Sequence, residues 1–319
     1  MGERRQRIGA GIAVLAGCAV AALIAPLVVN DRPIAARDAR GRIVFPALAG
    51  DAAPAPGEGA AIGPITRGGA PPSPGEEPLL WPPIRLSWRE VQLSEALQPP
   101  SRRHPFGTDL LGRDLLARTL HGARVSFTVG FGATLLALLL GIVLGGTAGL
   151  CGGATDLALA RGIETIACFP PFILALALQA VGGGGLGAMI IAIAIGRTAT
   201  AARFARSETM RWRGTGLWLS ARAAGASRPA AALRHLLPLA AGPLAVQVAF
   251  GVTHAILLES SLSFLGLGVP APVPSWGAIL AEGRGTLDIA WWPVFFPCLG
   301  LAVTLGALSW AGERAAYTD

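Results

Sequence analysis

Between two long apolar blocks, residues 202–238 read ARFARSETMRWRGTGLWLSARAAGASRPAAALRHLLP. Seven arginines, Arg203, Arg206, Arg211, Arg213, Arg222, Arg228 and Arg234, stand there against one acid, Glu208. If the flanking blocks cross a membrane, a loop so rich in arginine lies on the cytoplasmic side, and that fixes the topology of the rest. Inside it, Leu217 to Ala224 is a run of good helix formers that stops at Gly225, the residue best suited to a left-handed helix end. Ser227 is placed to cap a second short helix, with Pro229 near its first turn and Leu236 near its end. The pair predicts a compact knob on the cytoplasmic face, a contact surface for a soluble partner.

The composition agrees with a membrane chain. Of 319 residues, 52% are hydrophobic and 14% charged, with 43 glycines, and the mean hydropathy is +0.55. The net charge of +7 comes from arginines flanking apolar runs, so it does not point to nucleic acid. All 26 basic residues are arginine. A Walker A loop needs a lysine on the nucleotide phosphates, so this polypeptide cannot carry that site, and any ATP that drives it binds another subunit. Cys18, Cys151, Cys168 and Cys298 show no metal-ligand or CxxC spacing and are expected to be buried in apolar segments. No catalytic site and no metal site are expected.

Taken in order, Arg4, Arg5 and Arg7 precede an apolar run from Ile8 to Val29. At about 22 residues it is long enough to span, and longer than the roughly 7–15 residues of a signal-peptide core. Residues 31–103 include twelve of the 25 prolines in the stretch from Pro46 to Pro100 alone. They read as an irregular extracytoplasmic loop. From His104 to Phe127 the texture changes. Thr108 or Asp109 is placed to cap an amphipathic helix with Leu110, Leu111, Leu115, Leu116 and Leu120 on one stripe and Arg113, Asp114 and Arg118 on other faces.

Five more spans follow by hydropathy, near 125–151, 163–181, 186–203, 239–261 and 291–312. The expected fold is therefore an all-α integral membrane protein of six transmembrane helices with both termini in the cytoplasm. Its parts are residues 1–30, the loop 31–103, and a core of five helices over 104–319. Gly141, Gly145 and Gly149 repeat every four positions and predict close helix packing. Arg197 is expected near the inner end of its span, snorkelling toward water. Glu259 falls about 20 residues into the fifth span, roughly 30 Å along it, and is expected at the outer interface. His104 and His121, without ligand spacing, read as structural.

Three stretches resemble one family, the transmembrane permeases of bacterial ABC importers, and in particular the C-type subunits of dipeptide and oligopeptide systems. The 202–238 loop is similar to the family's EAA loop, with Ala202, Arg203, Arg206, Ala221, Arg222, Ala223, Gly225, Ala226, Ser227, Arg234, His235, Leu237 and Pro238 in place. Leu219 stands where the family has glutamate, Ser220 replaces an alanine, and Leu239 an asparagine. The segment HPFGTDLLGRDLLARTLHGARVS matches a second family pattern through Asp109, Arg113, Asp114, Arg118 and Arg124. LESSLSFLGLGVPAPVPSWGAILAEGR matches a third through Glu259, Ser261 and Trp276.

The resemblance implies a transport subunit without chemistry of its own, importing dipeptides, oligopeptides, nickel complexes or another small solute. Implied partners are a second permease in a heterodimer, two ATP-binding subunits that hold ATP and magnesium, and an extracytoplasmic solute-binding protein. The knob would dock on the ATPases, while Asp109, Arg113, Asp114, Arg124, Glu259, Ser261 and Trp276 would lie toward the outer gate. A membrane-embedded hydrolase would need ionisable residues converging inside the bundle, which the spans scarcely offer. A passive channel would differ in not co-purifying with an ATPase.

Overall fold

The computed structural model describes residues 86–316 without interruption and, ahead of them, residues 17, 20, 27–30, 33–37, 42–45, 77–80 and 82–84. The first expected span falls almost wholly outside these. The chain divides into two compact units. One holds Val125–Ala271 and the chain from Leu301; the other holds Pro272–Gly300 and the residues before Val125 that follow Cys18.

The fold is mostly helical, but not all-α as expected. Part of the Pro-rich loop pairs into a small antiparallel sheet in the order β2-β1-β3, with β1 at Ala35–Arg37, β2 at Ile43–Val44 and β3 at Glu77–Leu80. These strands are two to four residues long, too short to show an alternating pattern among prolines and glycines.

Among the described residues, four helices are long and apolar enough to cross a membrane: α1 (Leu115–Cys151), α4 (Leu186–Arg213), α7 (Ala241–Phe264) and α9 (Trp292–Ala316). A fifth candidate is bent. α2 (Gly153–Ala167) and α3 (Pro171–Val181) meet at 79°, so the straight span expected over 163–181 does not form. Pro170 and Pro171 explain the break, because each disfavours the helical conformation in the residue before it and neither donates a backbone hydrogen bond. Many large apolar side chains point out of the fold, among them Leu135, Leu139 and Val143 on α1 and Leu299 and Val303 on α9. Cys151, Cys168 and Cys298 are also exposed on this chain rather than buried. In water such surfaces would be a liability; on a membrane subunit they meet lipid or another subunit.

α4 is the hub of the first unit. The glycine repeat works as the spacing implied: Gly141 and Gly149 face Ala201 and Thr209, and Gly145 lies on the Ala202 carbonyl. A π-turn at Ile142–Gly146 sits in this contact, with the Thr147 hydroxyl donating to the Val143 and Leu144 carbonyls. α4 also runs ten residues past its expected end at Arg203, so the first third of the supposed loop is helix. Arg206 holds it there, its fork donating to both Asp156 oxygens of α2 at 2.6 and 2.7 Å. Arg213 donates to the Gly149 carbonyl. With α4 this long, Arg197 is not near a helix end.

Because the neighbour of Gly145 is backbone, it cannot move aside. Gly145→Ala should lower the apparent melting temperature of the purified protein by the equivalent of about 1–3 kcal/mol. Gly146→Ala, which meets only Ile142 Cγ2 at 4.0 Å, should leave it nearly unchanged. Equal effects at both positions would count against this contact.

Candidate functional site

The two-helix knob forms where the sequence placed it. α5 (Gly216–Ala223) ends in a turn in which Gly225 takes φ 88°. The Gly225 N–H donates to the Arg222 carbonyl at 3.0 Å and the Ala226 N–H to the Ala221 carbonyl at 3.1 Å. These two bonds satisfy the last carbonyls of the helix in the Schellman arrangement, which needs a left-handed residue at that point. The Arg222 guanidinium donates to the Ala226 carbonyl and braces the same turn. Ser227 then caps α6 (Arg228–Ala231), its hydroxyl accepting from the Ala230 N–H, with Pro229 in the first turn.

The second helix does not stop at Leu236 as expected. It passes through a π-turn, Ala232–Leu236, into Leu237–Leu239. Pro238 is the cause, since an α-helix would set its ring against the Arg234 carbonyl and the wider turn relieves the clash. Leu217, Leu219 and Leu233 are 46%, 62% and 67% exposed, and Ser220, Ala223, Ser227, Arg234 and Pro238 are exposed beside them. The position of the family glutamate is thus part of an apolar face. The side chain of His235 lies outside the described residues.

In the second unit the HPFGTDLLGRD segment is a tight loop, not the start of a helix. Gly112 takes φ 71° against the Gln92 carbonyl, where a Cβ would collide. The helix cap is Asp114 rather than Thr108 or Asp109: its Oδ1 accepts from the Ala117 N–H at 2.8 Å, and α1 begins at Leu115. Asp109 instead accepts from the Leu111 and Arg113 N–H groups and from the Arg113 Nε at 2.7 Å, and it pairs with Arg118. Arg118 is almost fully buried, not on an outer face. Arg113 and Arg118 converge on Glu282 of α8 (Trp276–Gly283) at 2.7 and 2.5 Å.

Two arginines and two carboxylates close a neutral cluster. Beside it, His104 joins Asp114 at 2.8 Å and Glu95 at 3.2 Å. Burial pushes the Asp114 carboxyl up from its ordinary range, against the bonds from Ala117 and His104. Trp276 donates to the Thr119 carbonyl and Trp292 to the Thr108 carbonyl, tying the loop to both ends of the 272–300 segment. His121 bonds the Ala117 carbonyl and packs on Trp88. Arg124 is half-buried.

Glu259 is the clearest correction. It is fully buried, not at an exposed interface. Its carboxylate accepts from Ser126 at 2.7 Å, Ser263 at 2.7 Å and Ser260 at 3.3 Å, while Ser261 turns away to the Leu257 carbonyl. Counting residues along a helix gave its height but not what surrounds it. Glu282 is not among the expected site residues, and neither is Arg118, although the second family pattern includes it. They are 164 residues apart, and the only signal was that both belong to the motif stretches.

The geometry combines long apolar helices with a two-helix knob that exposes leucines and a braced, ion-paired loop. A model of the family described as "Binding-protein-dependent transport system inner membrane component" matches residues 121–312. The chain belongs to this family. It is a permease subunit of a binding-protein-dependent ABC importer, a component of the inner membrane. The chain is 38% identical over 222 residues to the dipeptide transport system permease protein DppC of Bacillus subtilis, covering 69% of each. It is 34% identical to the oligopeptide permease OppC of the same organism, covering 72% of this chain and 75% of that one. A putative peptide transport permease of Brucella suis is 40% identical over 212 residues, 66% of this chain and 71% of its own length. Among solved structures, an inward-facing MetNI methionine ABC transporter matches with a TM-score of 0.52 at 18% identity, covering 63% of this chain and 96% of that one; this likeness concerns the fold.

The ion cluster of this permease predicts an order of effects. Asp109→Asn leaves two buried guanidinium groups sharing the one carboxylate of Glu282 and should destabilise by about 3–5 kcal/mol. Glu282→Gln should cost less, because the Glu282 side chain is 40% exposed and water replaces part of the pairing. Thermal unfolding of the two purified variants checks the order, and its reversal would remove Asp109 as the centre of the cluster.

Proposed function

We propose that this permease imports peptides, dipeptides or oligopeptides, and that the α5–α6 knob transmits the work of ATP hydrolysis to it. The carrying observation is the knob itself: two short helices fixed by a Schellman turn and a serine cap, presenting Leu217, Leu219 and Leu233 outward. The printed names of the relatives support the peptide reading. In the proposed assembly the chain forms a heterodimer with a second permease subunit and docks on two ATP-binding subunits. A solute-binding protein delivers the peptide from the extracytoplasmic side. The chain binds no ATP and no metal and has no catalytic residue of its own.

Residues 8–29 would supply the sixth span and bring both termini to the cytoplasm, with 31–103 as an outer loop and 104–319 as the permease core. Leu219 to Ala223, Gly225 to Ser227, Arg234, His235 and Pro238 would form the ATPase-facing surface. Asp109, Arg113, Asp114, Arg124, Glu259, Ser261 and Trp276 would belong to the outer gate or to what holds it. Closure of the ATPases would push the knob, and α4, continuous from Leu186 to Arg213, would carry the displacement as a rigid rod.

Two measurements test this. In a cysteine-free background, Ser227→Cys should react with an impermeant thiol reagent only from the cytoplasm, and Ser101→Cys, in the exposed loop, only from outside; the opposite pattern would overturn the topology. Gly225→Val should be tolerated in space, since nothing lies within 4 Å of the new Cβ. The left-handed φ is nevertheless costly for a β-branched residue and would redirect α6. Peptide uptake and peptide-stimulated ATPase activity of the complex should fall at least about tenfold, the effect of roughly 1.4 kcal/mol, at unchanged membrane level. Wild-type uptake by this variant would show the knob to be a passive connector.

A further inference from the structure

Arg197 carries a charge into the middle of α4. It stands eleven residues after Leu186, about 16 Å along a path whose hydrocarbon part is about 30 Å. Among the described residues nothing pairs with it by hydrogen bond or charge. Of the arginines further along the helix, Arg203 is exposed, while Arg206 pairs with Asp156, Arg211 with Glu208 and Arg213 with the Gly149 carbonyl. A guanidinium at this depth is costly in contact with lipid, so it faces water, protein or an anion.

Two observations describe the surroundings of this part of α4. The break between α2 and α3 lies beside it, for a Cβ on Gly196 would come within 2.9 Å of the Pro171 carbonyl. Phe169 in that break is 54% exposed. Irregular backbone at membrane depth persists only against protein or a water-filled cavity. Separately, Phe204 and Glu208, seven and eleven residues beyond Arg197, fall on the same stripe of α4. They border a cavity of about 260 Å³ walled by Ile142, Leu150, Leu233 and Leu244.

From these positions we infer that Arg197 is a solute-binding residue of the permease and takes the carboxylate of a passing peptide. The inference rests on the peptide reading above. A guanidinium meets a carboxylate through two parallel N–H···O bonds, and it does so most strongly where water is scarce. The terminal carboxylate is common to linear peptides whatever their side chains, so one arginine on the path serves many sequences. The competing role for Arg197 is a fixed ion pair with an acid of the second permease.

The test uses the assembled complex in proteoliposomes, with its binding protein loaded to equal occupancy with trialanine or trialanine amide. The wild-type complex should import the acid about tenfold faster, the effect expected of one charge-assisted contact. Arg197→Met should bring that ratio close to one, while Arg197→Lys keeps most of it. Each ratio is internal to one complex, so a lower membrane level of a variant does not disturb it. Equal import of acid and amide by the wild type, or an unchanged ratio in Arg197→Met, would overturn the assignment; the second is what a fixed ion pair between the permeases predicts. A wild-type complex that imports neither probe would bring down the peptide reading and this site with it. Peptide import with an unchanged ratio removes only the role of Arg197.

Discussion

The backbone contact between α1 and α4 is the constraint from which the first unit is built. Gly145 sits on the Ala202 carbonyl, and Gly141 and Gly149 keep the helices equally close on either side. In lipid there is no hydrophobic force between apolar helices, so close packing and polar contacts across the interface have to hold them. The glycines supply the packing. Arg213, reaching the Gly149 carbonyl, and Arg206, forked onto Asp156, supply the polar contacts at the same end. α4 can then leave the apolar region still helical and hand the chain directly to the knob.

The knob that follows is short but held at its turn. α5 is only eight residues long, and alone it would be marginal. Its turn is closed by backbone bonds around Gly225 and by Arg222, its successor is capped by Ser227, and the π-turn before Pro238 returns the chain to α7 (Ala241–Phe264). Each device satisfies backbone groups at a helix end. Side chains such as Leu219, where the family has an acid, are left exposed.

The second unit relies on charge instead. Asp109, Arg113, Arg118 and Glu282 come from a loop, the first turn of α1 and α8, and each buried charge there has an opposite charge within hydrogen-bond reach. Such a cluster adds little net stability but makes alternatives expensive, because any rearrangement leaves a guanidinium stranded. Glu259, by contrast, is held by three serine hydroxyls.

The sequence by itself determined the class of the protein and the turn of the knob, from Gly225 to Ser227. Apolar length, arginine bias, Gly225 and Ser227 are local signals, and local physics reads them without knowing what lies across the fold. It also determined the glycine seam, because a four-residue repeat is a property of one helix. Only the tertiary structure decided which charges are buried. Asp114 rather than Asp109 became the cap because Asp109 was drawn to Arg113 and Arg118, and Glu259 went inside because Ser126, 133 positions away, came to meet it. Helix ends followed the same logic. α4 outran its apolar stretch because Asp156 on another helix neutralises Arg206, and the 163–181 span broke because two prolines outweigh hydropathy. The burial of a charge depends on partners distant in the chain, and spacing along one segment carries no information about them.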